Sequence, residues 1–578
     1  MYNIVNPQQI RLFDSFDSIL TAKTRKRLLE GWQGVFRHII LELMPVEPIR
    51  EHFDPALGRP TKELYSIAGL LLIKEFMNWT KPETLDAYSF HADIQYALNL
   101  EPVAHDLSMR TIERYINLFE ANDIAKTIMS KVTATLVKSL DIKIDQQRLD
   151  STHIFSDMAS FGRTRLMGVA MKRFLTQLKR HTVGAYESLE VSLRQRYAPG
   201  VNQLFADTQK DSESRRLLRE QVAEDMHFLL RRFADTPEQA HRDSYKAMER
   251  IFYEQCQVHE DKVSVKEKTG GNIMQNPSDP GATYDGHKGS GYQVQIAETC
   301  HPENEVQLIT TALPQTAAEP DNEAVEPVLD ELEQTAMLPE QLLGDTHYCS
   351  DENVQKAQQR GVELVGPVSG SEKVKEDASY KRLNIDDFDI VEATEEIKCC
   401  PAGHRPQSSV HNSQTGKTKT VMSPSACRRC AFVDECPVTQ HGEGYRLEHT
   451  AKQRRLAGRR REEATDVFRE RYRVRAGIEG THSGLKRRTG LGQLRVRGRP
   501  AVFHAIYLKI TGWNILRAAA CAKMRPIVYA KAHKAVGMLP FVFLRTIIAV
   551  GSVCVSLKKY CCAPSRQGEK FSMISKAA

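Results

Sequence analysis

KQRRLAGRRREEATDVFRERYRVRAGIEGTHSGLKRRTGLGQLRVRGR, residues Lys452–Arg499, sets sixteen Lys and Arg against five Asp and Glu. Its local charge of about +11 sits in a chain whose formal total is +7, so the remaining residues are mildly acidic together. Within it, Tyr472, Arg475, Glu479 and Lys486 fall on one narrow helix face at 100° per residue. A single carboxylate then shares a face with groups suited to binding phosphate and to stacking. The alternative is a solvated basic helix in which Arg475 pairs with Glu479 at i, i+4. The rest of the chain decides between them.

The chain has 578 residues, enough for several domains. Its 41% hydrophobic and 26% charged content is that of an ordinary globular protein. Charge confined to one surface points to a polyanionic partner such as nucleic acid. The first twenty residues lack a basic segment followed by an apolar one, so no secretory signal is expected. The longest apolar run, Thr546 to Leu557, is too short to span a bilayer. We therefore expect a cytoplasmic, nucleoid-associated protein with no membrane partner and reduced thiols.

Residues 1–135 read as a helical N-terminal domain. Thr61 is expected to cap a helix carrying Leu64, Ile67, Leu70, Leu71 and Met77, and Ser108 to open a helix with Ile112, Tyr115, Ile116 and Phe119 on one face. Arg110 and Arg114 leave either a helix-turn-helix or a plain bundle open. From residue 142, IKIDQQRLDSTHIF alternates and reads as a strand ending on Asp150. Residues 165–260 return to long amphipathic helices. GYQVQIAET and EVQLITTAL read as a strand pair. A helix from Asn322 to Glu333 precedes a short strand ending on Asp345, and another helix and strand follow. Strands alternating with helices argue for an α/β core. Residues 370–445 form a Cys-rich insertion, HAIYLKITGWNILRAA is one more apolar helix, and 526–578 is a tail.

Asp150 and Asp345 occur in the echoing phrases LDSTH and LLGDTH, and Glu479 lies on the basic helix. Carboxylates gathered at strand ends can hold two hard cations and leave positions for phosphate oxygens. Strand-end aspartates are also common turn formers. His153 and His347 lie close to these acids but read as structural.

Tyr472, Arg475, Glu479 and Lys486, spaced Y-x₂-R-x₃-E-x₆-K, resemble the Y-R-E-K signature of bacterial insertion-sequence DDE transposases. LDSTHIFSDMASFGR, GDTHYCSDEN and GIEGTHSGLKRRTGLGQLRVRG are similar to the same family. The resemblance implies an RNase H-like mixed sheet over 136–525, interrupted by a helical insertion at 165–260 and a zinc-ribbon-like insertion at 370–445. It implies that Asp150, Asp345 and Glu479 hold two Mg²⁺ or Mn²⁺ ions. Arg475 and Lys486 would hold phosphates of the element's ends, with Arg487 and Arg488 as further DNA contacts, and Tyr472 would pack near the terminal nucleotides. The implied function is binding of double-stranded terminal repeats, metal-dependent cleavage and strand transfer to target DNA, by a homodimer on DNA. A catalytically silent DNA-binding regulator and a nuclease of the same fold are the rivals.

Cys400, Cys427, Cys430 and Cys436 supply one C-x₂-C pair and two further thiols, a donor set suited to a structural Zn²⁺. Cys399 and His404 compete with Cys400 for the first position. Gly416-Lys417-Thr418 lacks the first glycine of a phosphate-binding loop, since position 411 is His411, so nucleotide hydrolysis is excluded.

Overall fold

The computed structural model describes residues 2–7, 14–121, 123–206, 211–260, 262–370, 383–442 and 444–537. The apolar run at 546–557 and most of the tail lie outside the described residues, as does 371–382 of the Cys-rich insertion.

Six strands build a curled mixed sheet: β1 (Gln146–Ile154), β2 (Thr283–Asp285), β3 (Gly289–Thr299), β4 (Ile309–Thr316), β5 (Gln341–Leu343) and β6 (Glu363–Val365). The order is β2-β3-β1-β5-β6, with β4 on the other edge of β3. β1 runs antiparallel to β3, with Asp150 opposite Ile296, and parallel to β5, with Arg148 opposite Leu343. β5 and β6 are parallel, whereas β3 and β4 are antiparallel. Asp150 therefore does not end its strand. DSTHI keeps alternating, and pairing with β3 carries β1 on to Ile154.

Helices cover both faces of the sheet, so both hydrophobic sides are buried. On one side the helices Val325–Gln334 and Asp351–Gln359 pack on Leu149, Leu342 and Leu364. On the other, the helix Arg499–Ala520 is buried on nearly every side, as an all-round apolar helix must be. It joins Ile154, Val294 and Ile309 of the sheet to Leu71, Phe76, Ile128 and Leu136 of the N-terminal helices in one continuous core. The 1–135 boundary falls inside the helix Ile124–Leu140, whose buried face belongs to this core. Residues 163–255 form a helical insertion with a separate core around Phe174, Met226 and Phe252.

One of two N-terminal capping expectations needs adjustment. The helix Leu64–Phe76 is capped by Glu63, whose carboxylate accepts from the Tyr65 and Ser66 amides; Thr61 instead accepts from the Asn3 amide. A carboxylate at the helix start also meets the positive end of the macrodipole. Ser108 caps its helix as expected, accepting from the Thr111 amide at 3.2 Å.

The buried helix meets Leu64–Phe76 at Gly512, where an added Cβ would stand 1.9 Å from the Phe76 Cβ. Gly512→Ala should therefore lower stability by about 1–3 kcal/mol through overpacking, despite alanine's better helix propensity. A thermal melt at or above the wild-type midpoint would contradict this contact. Nearby, the buried Lys509 ammonium donates to Glu75 O, Asn78 Oδ1 and Thr489 O at 2.9, 3.1 and 2.7 Å. All three protons are used, which offsets the cost of burying the charge and ties the helix Gly477–Thr489 to the N-terminal bundle.

Candidate active site

The basic stretch is not one straight helix. It divides into α-helices Ala451–Glu463, Asp466–Tyr472 and Gly477–Thr489, with a 3-10 turn at Arg473–Ala476 between the last two. The tighter turn changes the angle per residue, so the four signature residues do not share one face.

That turn brings Arg475 onto both aspartates. Its guanidinium lies 3.0 Å from Asp150 Oδ2 and 3.9 Å from Asp345 Oδ2. Asp150 Oδ1 accepts from the Ser151 amide at 3.0 Å, and Asp345, two residues past β5, accepts from the His347 amide at 2.8 Å. Burial pushes the Asp150 carboxyl upward, with Arg475 opposing and the neighbouring Asp345 and Asp321 carboxylates reinforcing the rise. His482 Nδ1 stands 4.0 Å from Asp150 Oδ2. Burial, then Lys486 and Arg475, push its imidazole down to about 4, so it is neutral at pH 7. Glu479 lies one helical turn before His482 but is exposed, and no hydrogen bond or ion pair is recorded for it among the described residues.

A buried charge network holds this arrangement. Arg148, two residues before Asp150, donates to Glu298 Oε2 from Nε at 2.8 Å and to Val474 O from a terminal nitrogen at 2.7 Å. The Thr481 hydroxyl donates to the other Glu298 oxygen at 2.7 Å. β1, β3, the 3-10 turn and the helix carrying Glu479 are thereby joined through one carboxylate. Gly477 admits the guanidinium, because a Cβ there would lie 2.1 Å from it.

Two of the expected DNA contacts, Tyr472 and Arg475, have partners within the protein. Tyr472 stacks on Phe468, with centroids 5.6 Å apart and planes at 14°, and its hydroxyl donates to Gly344 O at 3.1 Å. Burial pushes its phenol up to about 12. That bond ties it to the turn leading to Asp345. Arg475 is engaged by carboxylates. Lys486, Arg487 and Arg488 are exposed, and no ion pair is recorded for them among the described residues.

Asp321, Lys288 and His482 also belong to this site, although sequence reading passed over them. Asp321 accepts from Gln295 at 2.8 Å and from Ser151 Oγ at 3.3 Å. Lys288, in the turn between β2 and β3, reaches Ser151 Oγ at 3.2 Å and lies 3.8 Å from Asp321. The turn sequence YDGHKGSG was the only signal: Asp285 accepts from the His287 and Lys288 amides and so tightens the turn.

Among the described residues, no three His, Cys, Asp or Glu side chains form a group able to hold a metal ion. For the acids the reason is visible: Arg475 lies beside both aspartates, and Glu479 is exposed apart from them. Cys400, His404, Cys427, Cys430 and Cys436 do line one cavity of about 20 Å³, room for a single small occupant. Cys427 is pushed upward by burial, then by Cys436, Cys400 and Cys430, which places the thiols near one another. Near is not coordinated, and the expected zinc site finds no support. The surrounding sheet, Ser408–Asn412, Lys417–Met422, Gly444–Thr450 and Thr439–His441, is held by strand pairing.

Carboxylates on a mixed sheet, set against a strongly basic segment, define a class of site suited to phosphate chemistry on a polyanion. Residues 399–519 match the model of a family described as a transposase DDE domain, which supports a transposase of the DDE type. The matched span includes Tyr472 to Lys486 and the buried helix; Asp150 and Asp345 lie outside it. No curated protein matches the chain. A solved structure, the cryo-EM structure of piggyBac transposase synaptic complex with hairpin DNA, is similar over 64% of this chain and 70% of that one, at 11% identity. Its TM-score of 0.19 is too low to define a fold. No helix among the described residues is long and apolar enough to cross a membrane.

Proposed function

We propose that this chain is the DDE transposase of an insertion sequence, acting on double-stranded DNA at the element's ends. The observation that carries the reading is the meeting of Asp150 and Asp345 at Arg475, within the segment that matches the family. The strand order, with two antiparallel strands on one side of β1 and two parallel ones on the other, supports an RNase H-like core. In this reading water attacks the scissile phosphorus and the 3′-oxygen leaves as a hydroxyl. That hydroxyl then attacks a phosphodiester of the target, displacing its 3′-oxygen, and neither step needs a covalent protein intermediate.

Asp150, Asp345 and Glu479 are the acids this chemistry would use. As placed they do not fit a bound metal pair. The chain's own contribution is the Arg475 fork. Carboxylate and phosphate are both bidentate partners for guanidinium, so an arriving phosphodiester competes with Asp150 and Asp345 for it. Lys486, Arg487 and Arg488 add sequence-independent phosphate attraction, which weakens with salt. Joining two ends calls for a homodimer on DNA.

The test is strand cleavage of DNA carrying the element's ends in Mg²⁺ or Mn²⁺, comparing wild type with Asp345→Ala. Wild-type cleavage lost in the variant is expected. If neither protein cuts, the chain is a DNA-binding regulator at most; cutting without joining makes it a nuclease.

A further inference from the structure

Beyond the end of β1 stands an aromatic ring that nothing above employs. Phe155 is 43% exposed, although its backbone is held on both sides. Its amide donates to Gly492 O at 3.0 Å and its carbonyl accepts from the Leu494 amide at 2.8 Å. The His153 ring meets it edge-on at 4.6 Å and 76°. Gly289 closes the other side, where an added Cβ would lie 3.5 Å from the ring. The ring is thus fixed in place with one part left open to solvent.

Two lysines lie on the segments that hold it. Lys288 precedes Gly289 and reaches back to Ser151 Oγ at 3.2 Å. The Lys486 stem packs on Gly492, the residue that receives the Phe155 amide; a Cβ at Gly492 would lie 3.1 Å from Lys486 Cγ. Both cations act on His153, lowering its tendency to protonate, after burial as the main cause. Burial, and then Lys288, depress the Lys486 ammonium. Like charges brought together repel, and a bound anion between them relieves that repulsion. At ~3.3 Å per residue Phe155 lies roughly 16 Å along β1 from Asp150, so the platform adjoins the acids without covering them.

A fixed, partly open aromatic with two lysines on the adjoining segments has the composition of a single-strand stacking platform, with the ring taking a base and the lysines nearby phosphates. We propose that Phe155, with Lys288 and Lys486, stacks an unpaired base of a frayed or single-stranded DNA end beside the acidic cluster. The inference rests on the DNA-processing reading above and assigns Phe155 the stacking role that the sequence had suggested for Tyr472.

Binding is measured on the full chain in EDTA, with a single-stranded oligo(dT) carrying one 2-aminopurine near its end and with a blunt duplex of mixed sequence. Wild type should quench the aminopurine. Phe155→Leu should lose the quench and bind the single strand about tenfold more weakly or worse, with duplex binding and melting temperature unchanged. Phe155→Trp should keep both quench and affinity. Equal quench and affinity in Phe155→Leu would overturn the platform while leaving the transposase reading intact. Failure of wild type to bind either DNA would remove both.

Discussion

Asp150→Asn is expected to lower DNA cleavage by on the order of a thousandfold or more, the several kcal/mol of transition-state stabilisation carried by a reacting-centre carboxylate. The fold should survive. Asparagine matches aspartate in shape, and its carbonyl can still accept from the Ser151 amide, which now meets Asp150 at 3.0 Å. The change removes a charge that burial already disfavours and two neighbouring carboxylates oppose. It also takes a partner from Arg475, which keeps only Asp345 at 3.9 Å. These effects oppose each other, so the melting temperature should move little while cleavage disappears. Cleavage within tenfold of wild type would remove Asp150 from the reacting centre. A large drop in melting temperature would mean that the carboxylate is chiefly structural.

Arg148→Met should cost about 3–5 kcal/mol, because it strips the guanidinium from a buried carboxylate. Arg148 is 8% and Glu298 1% exposed, and together they bind β1, β3 and Val474. Burial raises the Glu298 carboxyl even with Arg148 opposing, and without Arg148 it should rise further. A carboxyl raised in the folded state loses stability as pH increases from its ordinary value near 4.5 through the raised one. The penalty should therefore be small below about pH 4.5 and full well above it. Adding Glu298→Gln should recover part of the loss, since a neutral amide can remain buried and still accept from Thr481. Denaturant unfolding at about pH 4 and pH 8 reads both effects. An Arg148→Met variant as stable as wild type at pH 8 would show that the network contributes nothing net. Its position predicts a second consequence: loosening the 3-10 turn should impair cleavage even where the fold persists.

Much of the architecture was legible because it is local. The alternation of QQRLDSTHI, the apolar run of the buried helix and the Ser108 cap are each decided within a few residues. Asp150 and Asp345 were picked out from LDSTH and LLGDTH, and both lie beside Arg475. Failures came where distant partners decide. For Tyr472, expected near the terminal nucleotides, the contacts with Phe468 and Gly344 could not be read from the sequence. Four signature residues lay on one face only while the helix was taken as straight. Asp321 reads as an ordinary helix start in AEPDNEAV, and nothing local says that Ser151 stands opposite.

The α/β alternation, the long amphipathic helices after β1 and the concentration of charge in Lys452–Arg499 were all readable from the sequence alone. Only the tertiary structure shows that Arg475 lies beside Asp150 and Asp345, that no metal-binding group is found among the described residues, and that the Phe155 ring is held at its backbone yet partly exposed. The reason is physical: hydrophobic period and capping are short-range signals, whereas a charge chooses its partner by what burial brings near it. In the basic stretch, Glu298 reaches Thr481 directly and Val474 through Arg148, and thereby sets how the helix bearing Glu479 meets the sheet.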